Sequence, residues 1–150
     1  MENSLDHEKL DVYQIELQFI AWATGLMTEL SKSPIAKKRH INEALDHLDR
    51  ASLSSLFNTA EGNGKRPMKM RAKFFDDARG SATECAACLD ALVAKGACTK
   101  DRVEHGKSLL VRVVSMLAKL VDRFSPPIQV REGTEMYGIM DENEVEGEDE

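Results

Sequence analysis

A chain of 150 residues and 16.7 kDa is long enough for one domain with a core of its own. Apolar residues at 42%, charged residues at 31% and only four prolines, with one Trp, two Tyr and five Phe, favour helices over a β-sandwich. With no apolar run near the roughly 18 residues that span a bilayer, no signal-peptide pattern at Met1–Asp6 and three cysteines that cannot all pair, the expectation is a reduced, cytoplasmic chain with no membrane partner.

Apolar side chains recur at helical spacing in four stretches. In the first, Leu10, Tyr13, Leu17, Ile20, Thr24 and Met27 form one seam. Val12, Ile15, Phe19, Trp22, Leu26 and Leu30 form a second stripe beside it. Two faces on one helix need more than a single bundle core, so the second stripe, with Phe19 and Trp22, is expected to stay partly exposed and to mark an interface; the alternative is a slightly rotated helix that buries both stripes at once. Ser33-Pro34 reads as the N-cap and first residue of the second helix. Its seam is Ile41, Leu45, Leu48, Ser52, Leu56 and Thr59 or Ala60, and Gly62-Asn63-Gly64 stops it. The third helix starts near Pro67, carries Phe75, Ala78, Ala82, Cys85, Leu89 and Leu92, and ends at Gly96. The fourth, opened by Thr99, repeats Val103, Gly106, Leu110, Val113, Leu117, Leu120 and Phe124. Helices of roughly 25 residues are about 38 Å long, and short loops make neighbours antiparallel. The expectation is an all-α, up-down-up-down four-helix bundle over residues 1–125.

Ser125-Pro126-Pro127 ends the bundle, since neither proline continues a helix. Residues 126–150 then read as an acidic tail, expected to be disordered because it cannot bury enough apolar surface to fold alone. Of the 20 bases and 26 acids, one base (Arg131) and nine acids fall in residues 131–150. That segment therefore carries −8 of the net −6, and residues 1–130 carry +2. The tail reads either as a solvating segment or as a nucleic-acid mimic that competes for a basic patch on the body.

Few side chains form a pattern with chemistry in it. Cys85 and Cys88 have Cys-x-x-Cys spacing, but no second pair and no nearby histidine pair completes four zinc ligands. They read as small buried residues between closely packed helices. His40, Glu43 and His47 share a helical face, yet the Glu-x-x-His motif of a bundle di-iron site is missing, so that face reads as solvated. No nucleophile elbow, phosphate-binding loop or dinucleotide glycine fingerprint occurs. No catalytic residue, metal or cofactor is expected. Lys65, Arg66, Lys69, Arg71 and Lys73 place five cations in nine residues across a turn and a helix start. Lys37, Lys38 and Arg39 form a second group at the start of the second helix. A helix N-terminus favours anions, and added cations extend that preference to phosphates. The alternative is a solvated surface.

Two segments are more specific. Asn58-Thr59-Ala60-Glu61-Gly62 closes the second helix, and Phe74-Phe75-Asp76-Asp77-Ala78-Arg79-Gly80-Ser81-Ala82-Thr83-Glu84 runs through the third. With Asp11-Val12-Tyr13-Gln14 in the first, the chain resembles the bacterial four-helix-bundle family of 23S rRNA intervening-sequence proteins over about residues 8–124. Ser54, Asn58, Ala60, Glu61, Gly62, Ala78, Gly80, Ser81 and Glu84 stand at the family's motif positions. The chain departs from the pattern at Leu56-Phe57, where a proline is usual. It departs again at Pro67-Met68-Lys69-Met70, where a Ser-x-x-Glu capping box is usual. Gly80 inside a helix costs about 1 kcal/mol relative to Ala, which predicts a close helix crossing there. Asn58 and Glu61 suit either local capping or an assembly-determining polar network.

The resemblance implies a small homopentamer. It also implies kinship with the accessory variability determinant proteins of diversity-generating retroelements, which bind a reverse transcriptase and RNA. The expectation is therefore a non-enzymatic, homo-oligomeric accessory protein that binds RNA or DNA, a reverse transcriptase, or both. Lys65, Arg66, Lys69, Arg71 and Lys73, with Lys37, Lys38 and Arg39, are the expected phosphate contacts. Asn58, Glu61, Gly62, Arg79, Gly80, Ser81 and Glu84 are the expected structural or assembly positions. The alternative is a scaffold with protein partners only.

Overall fold

The computed structural model describes residues 3–126. Of the acidic tail 126–150, expected to be disordered, all but Pro126 lies outside the described residues. Four long helices, α1 (Asp11–Lys32), α3 (Asn42–Gly64), α4 (Met68–Ala94) and α5 (Lys100–Phe124), are joined by short connections, and a single turn, α2 (Ile35–Lys38), lies between α1 and α3. A 3-10 turn, Asp6–Lys9, precedes α1. Each long helix packs on the next in the chain and α5 closes back on α1, which gives the antiparallel up-down-up-down order. No strand occurs among the described residues.

The seams of α3, α4 and α5 are where their periodicity places them. Leu45, Leu48, Phe75, Ala78, Ala82, Leu89, Leu92, Val103, Val113 and Leu117 are all buried. Fully burying side chains of the Leu or Phe class contributes roughly 1.5–3 kcal/mol each. Thr99 caps α5, its hydroxyl accepting from the Arg102 N–H. Gly96, at φ 74°, ends α4: its N–H donates to Val93 O and the Ala97 N–H to Leu92 O, the pairing in which a left-handed residue satisfies the last carbonyls.

Three expectations are corrected. The second helix does not begin at Ser33-Pro34. After the single turn α2, His40 takes φ 54°, and the His40 and Ile41 N–H groups donate back to Lys37 O and Ala36 O. This repeats the helix-ending motif with a histidine in glycine's usual place. Burial of Ile41 against the core holds it there. Lys37, Lys38 and Arg39 therefore lie at the end of a separate turn, not at the start of the long helix.

On α1 the two stripes exchange roles. Val12, Ile15, Phe19, Leu26 and Leu30 are the buried set, while Leu17 and Thr24 are exposed and Tyr13, Ile20 and Met27 half-buried. The stripe expected at an interface, Phe19 included, is thus the core, and Trp22 alone of that stripe is half-buried. The reason lies on α5: a Cβ at Gly106 would sit 2.1 Å from the Trp22 ring, so only glycine there lets the indole lie against the helix. Gly80 is the third case. Nothing lies within 4 Å of a Cβ built on it, so it marks no helix crossing among the described residues. The close approach falls instead at Gly62, where a Cβ would meet the Phe74 and Phe75 side chains at 3.1 Å.

Candidate nucleic-acid interface

The C-terminus of α3, the N-terminus of α4 and the C-terminus of α5 share one end of the bundle, and their meeting point organises the basic cluster. Lys65 follows α3, Arg66 and Pro67 form the connection, and Lys69, Arg71 and Lys73 lie in the first turns of α4. The first turn of α4 contains no acidic residue and its N-cap, Pro67, offers no side-chain acceptor. The unpaired N–H groups of that helix end therefore face solvent beside the cations.

The five cations are not equivalent. Lys65 pairs with Glu61 at 3.3 Å and Lys73 with Asp77 at 3.2 Å, and both ammonium groups lie over the Phe74 ring, at 5.1 and 5.4 Å. Arg71 is half-buried: its guanidinium stacks on Phe124 at 4.5 Å and donates to Asn63 Oδ1 at 3.2 Å. Asn63 in turn donates to Asp6 Oδ2 at 2.9 Å. Arg71 thus ties the N-terminal turn, α3, α4 and α5 together, and Asn63, Phe74 and Phe124 are partners that no motif in the sequence singled out. Among the described residues, Arg66 and Lys69 are exposed and form no ion pair. The Lys37–Arg39 group is separated from them by the length of α3, about 35 Å for 23 residues. There the Arg39 guanidinium lies 3.7 Å from a Cβ built on Gly96, over the loop joining α4 to α5. The two basic groups do not form one surface on this chain.

The motif residues line the α3–α4 seam. Asn58 Nδ2 donates to Ser54 O at 2.9 Å and Ser54 Oγ at 3.2 Å, and Ser54 Oγ meets Ser81 Oγ at 2.9 Å across the two helices. Further along, His47 Nε2 pairs with Glu84 at 3.3 Å. Arg79 pairs with Asp76 at 2.7 Å on the surface of α4. An open groove of about 350 Å³ runs past His40, Glu43, His47, Glu84 and Cys88. Its two histidines and two carboxylates are solvent-facing, His47 and Glu84 being 51% and 61% exposed.

One polar cluster lies in the core itself, at a residue outside every motif of the sequence analysis. Glu16 stands between Val12 and Phe19 on the buried stripe of α1, where a carboxylate is out of place. It is 3% exposed, and its Oε2 accepts from Ser55 Oγ at 2.6 Å and Thr59 Oγ1 at 2.9 Å, while Oε1 has no partner. Burial pushes this carboxyl up to about 7, against the smaller opposing effect of the two hydroxyls. Cys85 lines the same small void and burial pushes its thiol up to about 12, so it stays protonated and unreactive. Burial likewise raises Cys88 and Cys98. Among the described residues no group of three His, Cys, Asp or Glu side chains could hold a metal ion, and no helix is long and apolar enough to cross a membrane.

The fold and its surface define a small antiparallel four-helix-bundle protein with a basic end and a polar seam between α3 and α4. The family model of the 23S rRNA-intervening sequence proteins matches residues 8–119, and the chain belongs to that family. No curated protein and no solved structure matches it.

Proposed function

We propose that the protein is a non-enzymatic, homo-oligomeric accessory protein, pentameric as its resemblance implies, that binds RNA through the end of the bundle around Lys65, Arg66, Lys69 and Lys73. The observation that carries this reading is the uncapped, acid-free N-terminus of α4 beside two unpaired cations, Arg66 and Lys69. Phosphate oxygens can accept from the free N–H groups and from both side chains at once. Phe74, flanked by Lys65 and Lys73, adds an aromatic face of the kind that single-stranded bases stack on. Family membership is consistent with an RNA partner, since the family is named for sequences that interrupt 23S rRNA. Repetition of the cluster around an oligomer axis would raise avidity for a polyanion. A reverse transcriptase is the protein partner that the resemblance suggests.

The test is binding of a labelled structured RNA by anisotropy over a salt series. Wild-type affinity should fall steeply with salt, and Arg66→Ala/Lys69→Ala should reduce the slope of log K against log salt by about 1–2. Native mass measured alongside should correspond to about five protomers. Failure of wild type to bind at low salt, or an equal loss from Lys37→Ala at the opposite end, overturns the assignment of this surface.

A scaffold that binds proteins only is the second reading. It is favoured by the exposure of Leu17, Phe57 and Val111, at 38%, 58% and 65%. It predicts no RNA binding and an unchanged native mass in the Arg66→Ala/Lys69→Ala variant.

A further inference from the structure

We infer that the acidic segment 131–150 of the chain docks on the basic end of its own bundle, covering the surface of Arg66 and Lys69 and the groove beside Phe57. Three observations converge there. First, α5, the last described helix before the segment, finishes at that end: the ring of Phe124 lies 5.9 Å from Phe75 of α4 and beneath the Arg71 guanidinium. The first acid of the segment, Glu132, follows the end of α5 by eight residues, and the tether keeps the local concentration of tail high, on the order of millimolar. Second, the charges are complementary, −8 on residues 131–150 against two exposed cations without ion-pair partners and an uncapped helix N-terminus.

Third, the apolar content matches. The same end exposes Phe57 at 58%, Met68 at 65% and Met70 at 40%. Phe57 lines an open groove of about 440 Å³ with His7, Ala60, Glu61, Gly64 and Lys65, in which the only carboxylate, Glu61, is paired to Lys65. Between its acids the tail carries Met136-Tyr137-Gly138-Ile139-Met140, the one apolar run in it. From Pro126 to Met136 an extended chain reaches about 33 Å, which spans the bundle end with length to spare. A tail seated this way places its carboxylates where phosphates would bind, so it would compete with any polyanion for the same cations. The contact is nonetheless defined without nucleic acid, and its test does not depend on RNA binding.

The experiment is zero-length carbodiimide coupling of carboxylates to amines on the full chain, with the joined peptides read by mass spectrometry and no RNA present. Tail carboxylates should couple to Lys65, Lys69 and Lys73 about tenfold more often than to Lys32, Lys37, Lys95 or Lys100 at the far end, reflecting the tethered concentration. The preference should vanish at roughly 1 M salt, where the Debye length is ~3 Å. In a full chain whose nine tail acids are changed to Gln or Asn, amide resonances of residues 65–73 and of Phe57 should shift while those of residues 37–48 stay. Even coupling over both ends, or no shift at residues 65–73, overturns the proposal. Coupling found only between differently isotope-labelled copies would assign the groove to a neighbour's tail and overturn it equally. Loss of RNA binding with the coupling pattern intact would refute only the nucleic-acid reading.

Discussion

Replacing Glu16 with Gln removes a titratable group from the middle of the bundle while keeping its shape. The folded carboxyl is raised to about 7 from its ordinary 4.5, so the folded state holds the proton to higher pH than the unfolded chain does. The stabilisation from this group is fully present below pH 4.5 and is lost as pH rises through 7. Between pH 5 and pH 8 the loss integrates to roughly 2–3 kcal/mol. With the side chain 3% exposed, solvent screening takes little from that figure. In Glu16→Gln the amide oxygen can still accept from Ser55 and Thr59, and the amide nitrogen faces the small void beside Cys85 without a partner, at a pH-independent cost of about 1–3 kcal/mol. The assay is urea unfolding of both proteins at one fixed protein concentration at pH 5, 6, 7 and 8, so that any self-association enters both curves alike. Other carboxylates titrate alike in both proteins and cancel in the difference. Wild type should lose roughly 2–3 kcal/mol relative to the variant across this range. Parallel curves, with a difference constant to within about 0.5 kcal/mol, would mean that Glu16 ionises in the fold as it does in water and would refute the argument.

Other substitutions test the packing. Gly106→Ala puts a Cβ 2.1 Å from Trp22 and should destabilise by about 2 kcal/mol, with a red shift of Trp fluorescence as the indole is displaced. Gly80→Ala meets nothing within 4 Å in an exposed helical position and should raise the unfolding free energy of the subunit by about 1 kcal/mol, read from the denaturant midpoint. His40→Gly relieves a left-handed residue at φ 54° and should stabilise by about 0.5–1 kcal/mol, seen as a higher melting temperature. With Ellman's reagent at pH 8, half-buried Cys98 should react first, while buried Cys85 should remain silent until the chain unfolds.

Much of the bundle was legible because its cause is local. The seams of α3, α4 and α5 repeat with a period that only a helix satisfies, and Thr99 and Gly96 act through their own backbone neighbours. The uncapped start of α4 could likewise be read from Pro67-Met68-Lys69-Met70. The Glu16 cluster was half legible: a carboxylate within an apolar stripe is visible in the sequence, but its partners are 39 and 43 residues away on another helix.

The amino-acid sequence by itself determined the number of long helices, their boundaries to within a turn at most ends, the uneven charge and the family motifs. Tertiary structure decided which of two apolar stripes on α1 faces inward, because that choice depends on whether α5 has room for an indole, and Gly106 supplies it. It decided that Gly62, not Gly80, is the point of close approach. It also divided five adjacent cations into paired, stacked and free ones, since partners such as Phe124 meet them only when the helices close into a bundle. Periodicity fixes the face a side chain occupies, whereas what that face meets depends on residues distant in the chain.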